Sequence, residues 1–285
     1  NATITTKGGF VTVTGSNSQG DLIPPATLGA EAGSFTIKSG SSINTTGAAG
    51  IAGGAVTIET AAQDADGLGA TDADIDIYGS ITTTGGAGSS SAGAIGGNVS
   101  FETNNTGTIT FFTGADLTTT GGAGDGAGNN GGNAGTVTLN TNTAIITLTD
   151  TIINTSGGAA ASGGTQGDGG TITISDPLVI STNPVTLNTG ATTGNVTISG
   201  TLNGSTDLDI TSGTGDVAIQ GIIGGLNALS SLDINNNSDN GDIEVFSVGD
   251  GTPNPAITGL TRLGNVNTGT LTLDGNNYDF GAGVT

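Results

Sequence analysis

Two phrases in this chain are nearly identical, ITTTGGAG from Ile81 and LTTTGGAG from Leu117, and three looser copies keep the same frame: ITTKGG from Ile4, INTTGAAG from Ile43 and INTSGGA from Ile153. Their starts lie 36 to 39 residues apart. A unit recurring at that period cannot bury its apolar face alone and must stack on its neighbours. After each phrase the chain runs through glycine-rich sequence to a pair of apolar residues two apart, at Val11/Val13, Val56/Ile58, Val99/Phe101, Val137/Leu139 and Ile172/Ile174. A further pair precedes the next phrase, as at Phe35/Ile37, Ile75/Ile77 and Ile109/Phe111. Apolar residues alternating at period two form strands with one buried face. Three such strands per repeat, in constant order, predict one turn of an all-β, right-handed parallel β-helix.

The second half of the chain tests that reading with different loops. The phrase position continues at Leu187, Ile210, Ile234 and Val266, and the second pair at Val196/Ile198, Val217/Ile219, Ile243/Val245 and Leu271/Leu273. Without a long glycine loop the repeat contracts to 23 or 24 residues. The bare turn is therefore about two dozen residues, and the earlier repeats carry an insertion at one corner. This divides a single solenoid into looped turns over 1–183 and plainer turns over 184–285. Nine register points imply nine turns and, at the ~4.8 Å spacing of paired strands, a rod roughly 40 Å long. Each turn would add at least three aliphatic side chains to a central column, worth roughly 1.5–3 kcal/mol apiece as an upper bound.

Polar residues keep the same frame. Two positions after each apolar start stand Thr6, Thr45, Thr83, Thr119, Thr155 and Thr189, then Ser212, Asn236 and Thr268. On a strand, positions two apart share a face, so these hydroxyls should point inward and bond from turn to turn as a structural ladder. The position between reads Thr5, Asn44, Thr82, Thr118, Asn154, Asn188, Thr211, Asn235 and Asn267, an outward Thr/Asn ladder of the kind that reinforces strands in register. An apolar, proline-containing excursion over 15–33, with Leu22, Ile23, Pro24, Pro25 and Leu28, is expected to cover one face.

Composition narrows the functions open to such a rod. The net charge is −21 and the basic residues are Lys7, Lys38 and Arg262 alone. Three cations cannot neutralise a phosphate backbone or hold an anionic membrane, so nucleic acid and membrane surfaces are set aside as partners. Cysteine, histidine, methionine and tryptophan are absent. That removes disulfides, thiolate and imidazole metal sites, and catalysis through Cys or a His base. No apolar run is long enough to span a bilayer, and Asn1 opens directly into a strand-like NATITT. The chain is thus expected to be a piece of something longer.

The alternating VTI strands, the GG-rich corners and phrases such as GIIGGLNALSSLDIN resemble the filamentous haemagglutinin-like giant adhesins and other two-partner-secretion exoproteins of Gram-negative bacteria. The likeness covers nearly the whole chain and is one of style. The Asn-Pro-Asn signature of the family's secretion domain is missing, since Asn183-Pro184 and Asn254-Pro255 lead elsewhere. The resemblance implies a shaft region on the bacterial cell surface, with adhesion and filament or biofilm building as its tasks.

Several residues invite more specific chemistry. Asp64, Asp66, Asp72, Asp74 and Asp76 crowd one stretch, and hard carboxylate oxygens of this kind are candidate calcium ligands. The closing bidentate Glu of a calcium loop is lacking, and a solvated acidic corner is the favoured reading of the same residues. Gly124–Gly128 superficially matches a dinucleotide loop but lacks the strand–turn–helix setting, so the glycine loops read as flexible corners. Asn-x-Ser/Thr sequons at Asn44, Asn98, Asn104, Asn154, Asn195, Asn203 and Asn236 arise naturally from Asn/Thr ladders. Thr82/Thr84 and Thr118/Thr120 match the outward pairs of an ice-binding face, which Lys7, Asn44 and Asn154 interrupt. A glycan-active β-helix would need carboxylates converging from adjacent turns, for which Asp116 and Asp150 are the candidates. Nothing aromatic is expected beside those two to stack a sugar ring, and no basic residue stands near the Asp64–Asp76 cluster in sequence. The sequence therefore predicts an extracellular structural or adhesive stalk and not an enzyme. A self-assembling filament subunit and a glycan-active enzyme are the alternatives. Expected partners are further rungs or copies stacked end to end, glycans or cell-surface receptors.

Overall fold

A computed structural model describes residues 3–9, 11–16, 34–61, 73–104, 106–235, 241–250 and 255–285. Among them there are 24 strands and no helix. Every strand pairing is parallel, and each strand pairs with its equivalent one repeat away, which is the connectivity of a parallel β-helix.

The first face is a nine-stranded sheet: Thr3–Thr5, Ser42–Asn44, Ile81–Thr82, Leu117–Thr118, Ile152–Asn154, Val185–Asn188, Asp207–Thr211, Ser231–Ile234 and Thr261–Leu263. Ile43, Ile81, Leu117, Ile153, Leu187, Ile210 and Ile234 are successive register partners and all are buried. The second face begins at Val11–Ser16 and continues through Val56–Ala61, Val99–Asn104, Val137–Asn140, Ile172–Ile174 and Val196–Ile198. The third contains Phe35–Ile37, Ile75–Ile77, Ile109–Phe111, Ile146–Thr149, Leu178–Ser181 and Leu202–Gly204. Val217–Ile223 bends from the second face to the third, and the register slips between Ile219 and Ile222 as it turns the corner. The core lies inside the three faces and is otherwise aliphatic around Phe101 and Phe111, which stack at a centroid distance of 5.9 Å.

Two predicted register points move. On the first face Leu263, not Val266, follows Ile234, with Arg262 beside Asp233. Val266 is fully exposed, and Thr268 accepts the Asn265 amide at 2.7 Å in a local turn instead of joining a ladder. The phrase VNTG imitates INTTG, but only Leu263 has an apolar register partner. Asn235, expected to face out, has φ of 50° and is buried. Asparagine tolerates this left-handed conformation, so the strand ends one residue early and the amide turns in. The inward position predicted at Asn236 lies outside the described residues, as do Leu22, Ile23, Pro24, Pro25 and Leu28 of the proline-containing excursion.

Candidate functional site

The residues on which this scaffold turns are the buried threonines at its corners. Thr45, Thr83, Thr119, Thr155 and Thr189 point inward, as strand alternation requires, and are fully buried. Their main bonds, however, run within a turn. Each Oγ1 donates to the carbonyl of the glycine two residues before the second strand, namely Gly54, Gly97, Gly135, Gly170 and Gly194, at 2.5–2.7 Å. Ser212 does the same to Gly215 at 2.7 Å, and Thr6 to Gly9. In four of these turns the glycine N–H returns a bond to the carbonyl of the same threonine, at 2.6–2.9 Å. The result is a two-point clamp across the first corner. It closes over 3 residues at Ser212 and over 16 at Thr119 with the same partners. Weak secondary contacts reach the next turn from Thr83 and Thr189, at 3.5 and 3.4 Å.

The second corner uses the same device, which the sequence reading missed. Thr60, Thr103 and Thr141 are buried, and their hydroxyls bond the carbonyls of Ala73, Gly107 and Ala144, each two residues before a third-face strand. The signal was available, because each of the three lies four residues after the second-face apolar start. At the first corner, Asn235 of the eighth turn bonds back onto the seventh, taking the Ser212 amide on Oδ1 at 2.7 Å and donating from Nδ2 to its hydroxyl at 2.8 Å.

Between clamp partners, the glycine loops expected to act as flexible corners are hydrogen-bonded from turn to turn. In residues 84–97, 120–135 and 156–170 the chain goes out and back as a hairpin of two extended arms with no strand assignment. Bonds from one hairpin to the next recur every third residue, as from Gly121 and Gly124 to the Ser156 and Ala159 carbonyls, and from Gly128, Gly131 and Ala134 to those of Ser162, Thr165 and Asp168. Three residues per turn with no bonds inside the arm is polyproline-II geometry. Interior positions must be bare: a Cβ on Gly122 would overlap the Gly86 carbonyl, and one on Gly158 would overlap that of Gly122. Positive φ is confined to the tips, at Ser90, Gly126, Gly128 and Gly163. Stacked, the hairpins form a slab along one corner of the rod. On its return arms Asn130 and Asn133 accept the amides of Thr165 and Asp168 at 2.9 Å.

The outward asparagines expected to form a ladder are stacked in register but bond locally. Asn44, Asn154 and Asn188 each accept the amide two residues on, at 2.8–3.1 Å. Turn-to-turn side-chain bonds come instead from Asn98, Asn195, Asp216 and Asp242, one residue before the second strand. Each takes the amide of the equivalent residue in the following turn at 2.6–3.0 Å. Asp216, Asp242 and Glu244 also line a shallow groove of about 280 Å³ with Ala218, Thr270 and Thr272.

Of the candidate calcium ligands, Asp64, Asp66 and Asp72 lie outside the described residues. Asp74 accepts both the amide and the hydroxyl of Thr108, at 2.7 and 2.9 Å. Asp76 beside it has its carboxyl pushed above the usual value, first by burial and then by the Asp74 charge. Among the described residues no three acidic side chains converge as a metal site would require. Asp116 takes the Ile152 amide at 2.9 Å, whereas Asp150 sits in a turn with φ of 51°. Register sets Asp116 opposite Ile152, not Asp150.

Two surface groups were not foreseen. Tyr78 and Phe112 stack at 3.8 Å with planes 7° apart at the end of the third face. On the first face Asp209, Asp233 and Arg262 are register partners on successive turns, and Arg262 pairs with Asp233 at 2.9 Å. Asp209 titrates above the ordinary carboxylate value because of burial, then Asp233 and Asp207, with Arg262 opposing. No family model, no curated protein and no solved structure matches the chain.

Proposed function

We propose that the chain is a section of the extracellular stalk of a filamentous haemagglutinin-like adhesin on a bacterial surface, a spacer that sets distance and does not catalyse. The observation that carries this reading is the unbroken column of buried register partners from Ile43 to Ile234, closed at every looped corner by a threonine clamp. A quasi-one-dimensional core of this kind resists tension along its axis through many parallel strand pairs and can be lengthened one turn at a time. The described carboxylates support it too: Asp74, Asp116, Asp176, Asp216 and Asp242 each accept a backbone amide and so serve the scaffold. The outward Thr and Asn columns leave a largely uncharged first face over the looped turns, suited to hydrogen bonding with glycans or a receptor.

Immunogold electron microscopy of the intact parent cell tests the assignment. Antibodies against the slab should label at a fixed distance outside the cell envelope, and the purified chain should appear as a rod of roughly 40 Å. Label confined to the cell interior would refute a stalk. So would release of sugar from a polysaccharide by the purified chain, abolished by Asp209→Asn.

A further inference from the structure

The slab of glycine hairpins ends abruptly at the fifth turn, and its two ends are complementary. Inside the slab, N–H groups spaced three apart donate to the following hairpin. Their counterparts in the last hairpin include Ala160, Gly163 and Gln166, which face a sixth turn whose corner is closed across only 5 residues from Thr189 to Gly194. Thr192 reaches part of this edge, accepting the Gly169 amide at 3.1 Å and donating to the Gly167 carbonyl at 2.9 Å. The N–H groups of Ala160, Gly163 and Gln166 have no hydrogen-bond partner among the described residues. At the other end, the carbonyls of Thr84, Ala87 and Ile95 accept from Gly47, Gly50 and Gly53, whereas of their counterparts Thr46 and Ala49 accept from no described residue and the Ala52 carbonyl is packed beneath Gly8 of the first turn. The first turn has no hairpin to offer them, because Thr6 closes its corner directly on Gly9.

We infer that these two edges are a docking surface for a second copy of this chain, the donor row of Ala160, Gly163 and Gln166 meeting the acceptors Thr46 and Ala49. An extended backbone edge with aligned free groups is a template for another chain, as an open sheet edge is. Charge favours this contact over others. Residues 44–55 and 156–167 contain no charged side chain, in a chain whose net charge of −21 repels its copies elsewhere. The contact is heterologous, so each copy keeps one donor and one acceptor edge open and association runs on as a lateral, staggered bundle. It uses the side of the rod and leaves the end turns free.

The test is analytical ultracentrifugation of the full chain across a concentration series, with the double variant Ala160→Pro/Gln166→Pro. Proline fits the polyproline-II φ and removes an N–H that serves nothing inside the molecule, so the thermal midpoint should hold. Association should weaken about tenfold or more, because two backbone bonds are lost and the rings obstruct the edge. Ala134→Pro is the control, since that amide donates to the Asp168 carbonyl at 2.8 Å and its loss should lower the midpoint. Three results would overturn the inference: a wild-type chain that stays monomeric up to its solubility limit, association undiminished in the double variant, or a double variant that is itself destabilised. Undiminished association would assign the contact to the end turns, which the substitutions do not touch.

Discussion

Replacing Thr119 by valine isolates the clamp from everything else the residue does. The side chain is fully buried, and valine keeps its volume and β-branching, so the core column is undisturbed. What disappears is the 2.7 Å bond to the Gly135 carbonyl. The reciprocal bond from the Gly135 amide to the Thr119 carbonyl, at 2.8 Å, survives. The loss is therefore one hydrogen bond plus a carbonyl left without that donor, about 1–3 kcal/mol. In a chain of this size that lowers the thermal midpoint by roughly 2–4 °C per kcal/mol. The clamp closes a 16-residue excursion, so the effect should also be local. Hydrogen exchange should accelerate across 120–134 while the strand Val137–Asn140 stays protected. Thr119→Ser, which keeps the hydroxyl and loses one methyl, should cost about 1 kcal/mol without accelerating exchange in the hairpin. Circular dichroism melting and exchange mass spectrometry read both quantities. A valine variant as stable as wild type, or a serine variant with the same hairpin exchange as valine, would refute the clamp as the element that closes the corner.

Two other perturbations follow from the same geometry. Asp209→Asn should stabilise the chain at neutral pH, because a carboxyl whose folded titration is raised is disfavoured when ionised. The penalty is present above the raised value and vanishes once pH falls below the ordinary value of 3.8, so urea midpoints of the two proteins should differ at pH 7 and converge near pH 3. Gly122→Ala should cost about 1–3 kcal/mol and release exchange protection in the neighbouring hairpins, since its Cβ has no space beside the Gly86 carbonyl. An alanine variant with wild-type exchange would show the slab to be loosely packed.

The architecture was legible because a buried strand face writes itself as period two, and stacking repeats it at a fixed interval. Ile81, Leu117 and Ile153 could be identified as vertical neighbours from their frame alone, and they are register partners. The inward direction of Thr119 was legible for the same reason. Its partner was not, since alternation says which way a side chain points and nothing about which of several nearby carbonyls it meets. Val266 was misplaced because it satisfies the local pattern as well as Leu263 does, and only pairing across turns separates them. The Asp209–Asp233–Arg262 column escaped notice because its members are 24 and 29 residues apart, and the displaced register had put Arg262 off the strand.

The glycine hairpins expose a deeper gap, since searching for periods of two and 3.6 leaves a three-residue period looking like noise. Yet the pattern is present in plain view as Asn130-Gly131-Gly132 and Asn133-Ala134-Gly135, with a side chain outward and two small residues within. Glycine abundance is commonly taken as a measure of chain freedom. Here the arm glycines sit at ordinary negative or extended φ, and their lack of a Cβ lets adjacent backbones approach until each N–H finds a carbonyl. The same residue type thus supplies permissiveness at the tips and close packing in the arms. A clamp that works across 3 or 16 residues permits such a slab to grow from a corner without disturbing the strands on either side. Loop length can therefore vary turn by turn in this solenoid while the core frame does not, and the surface of the rod is free to change independently of what holds it up.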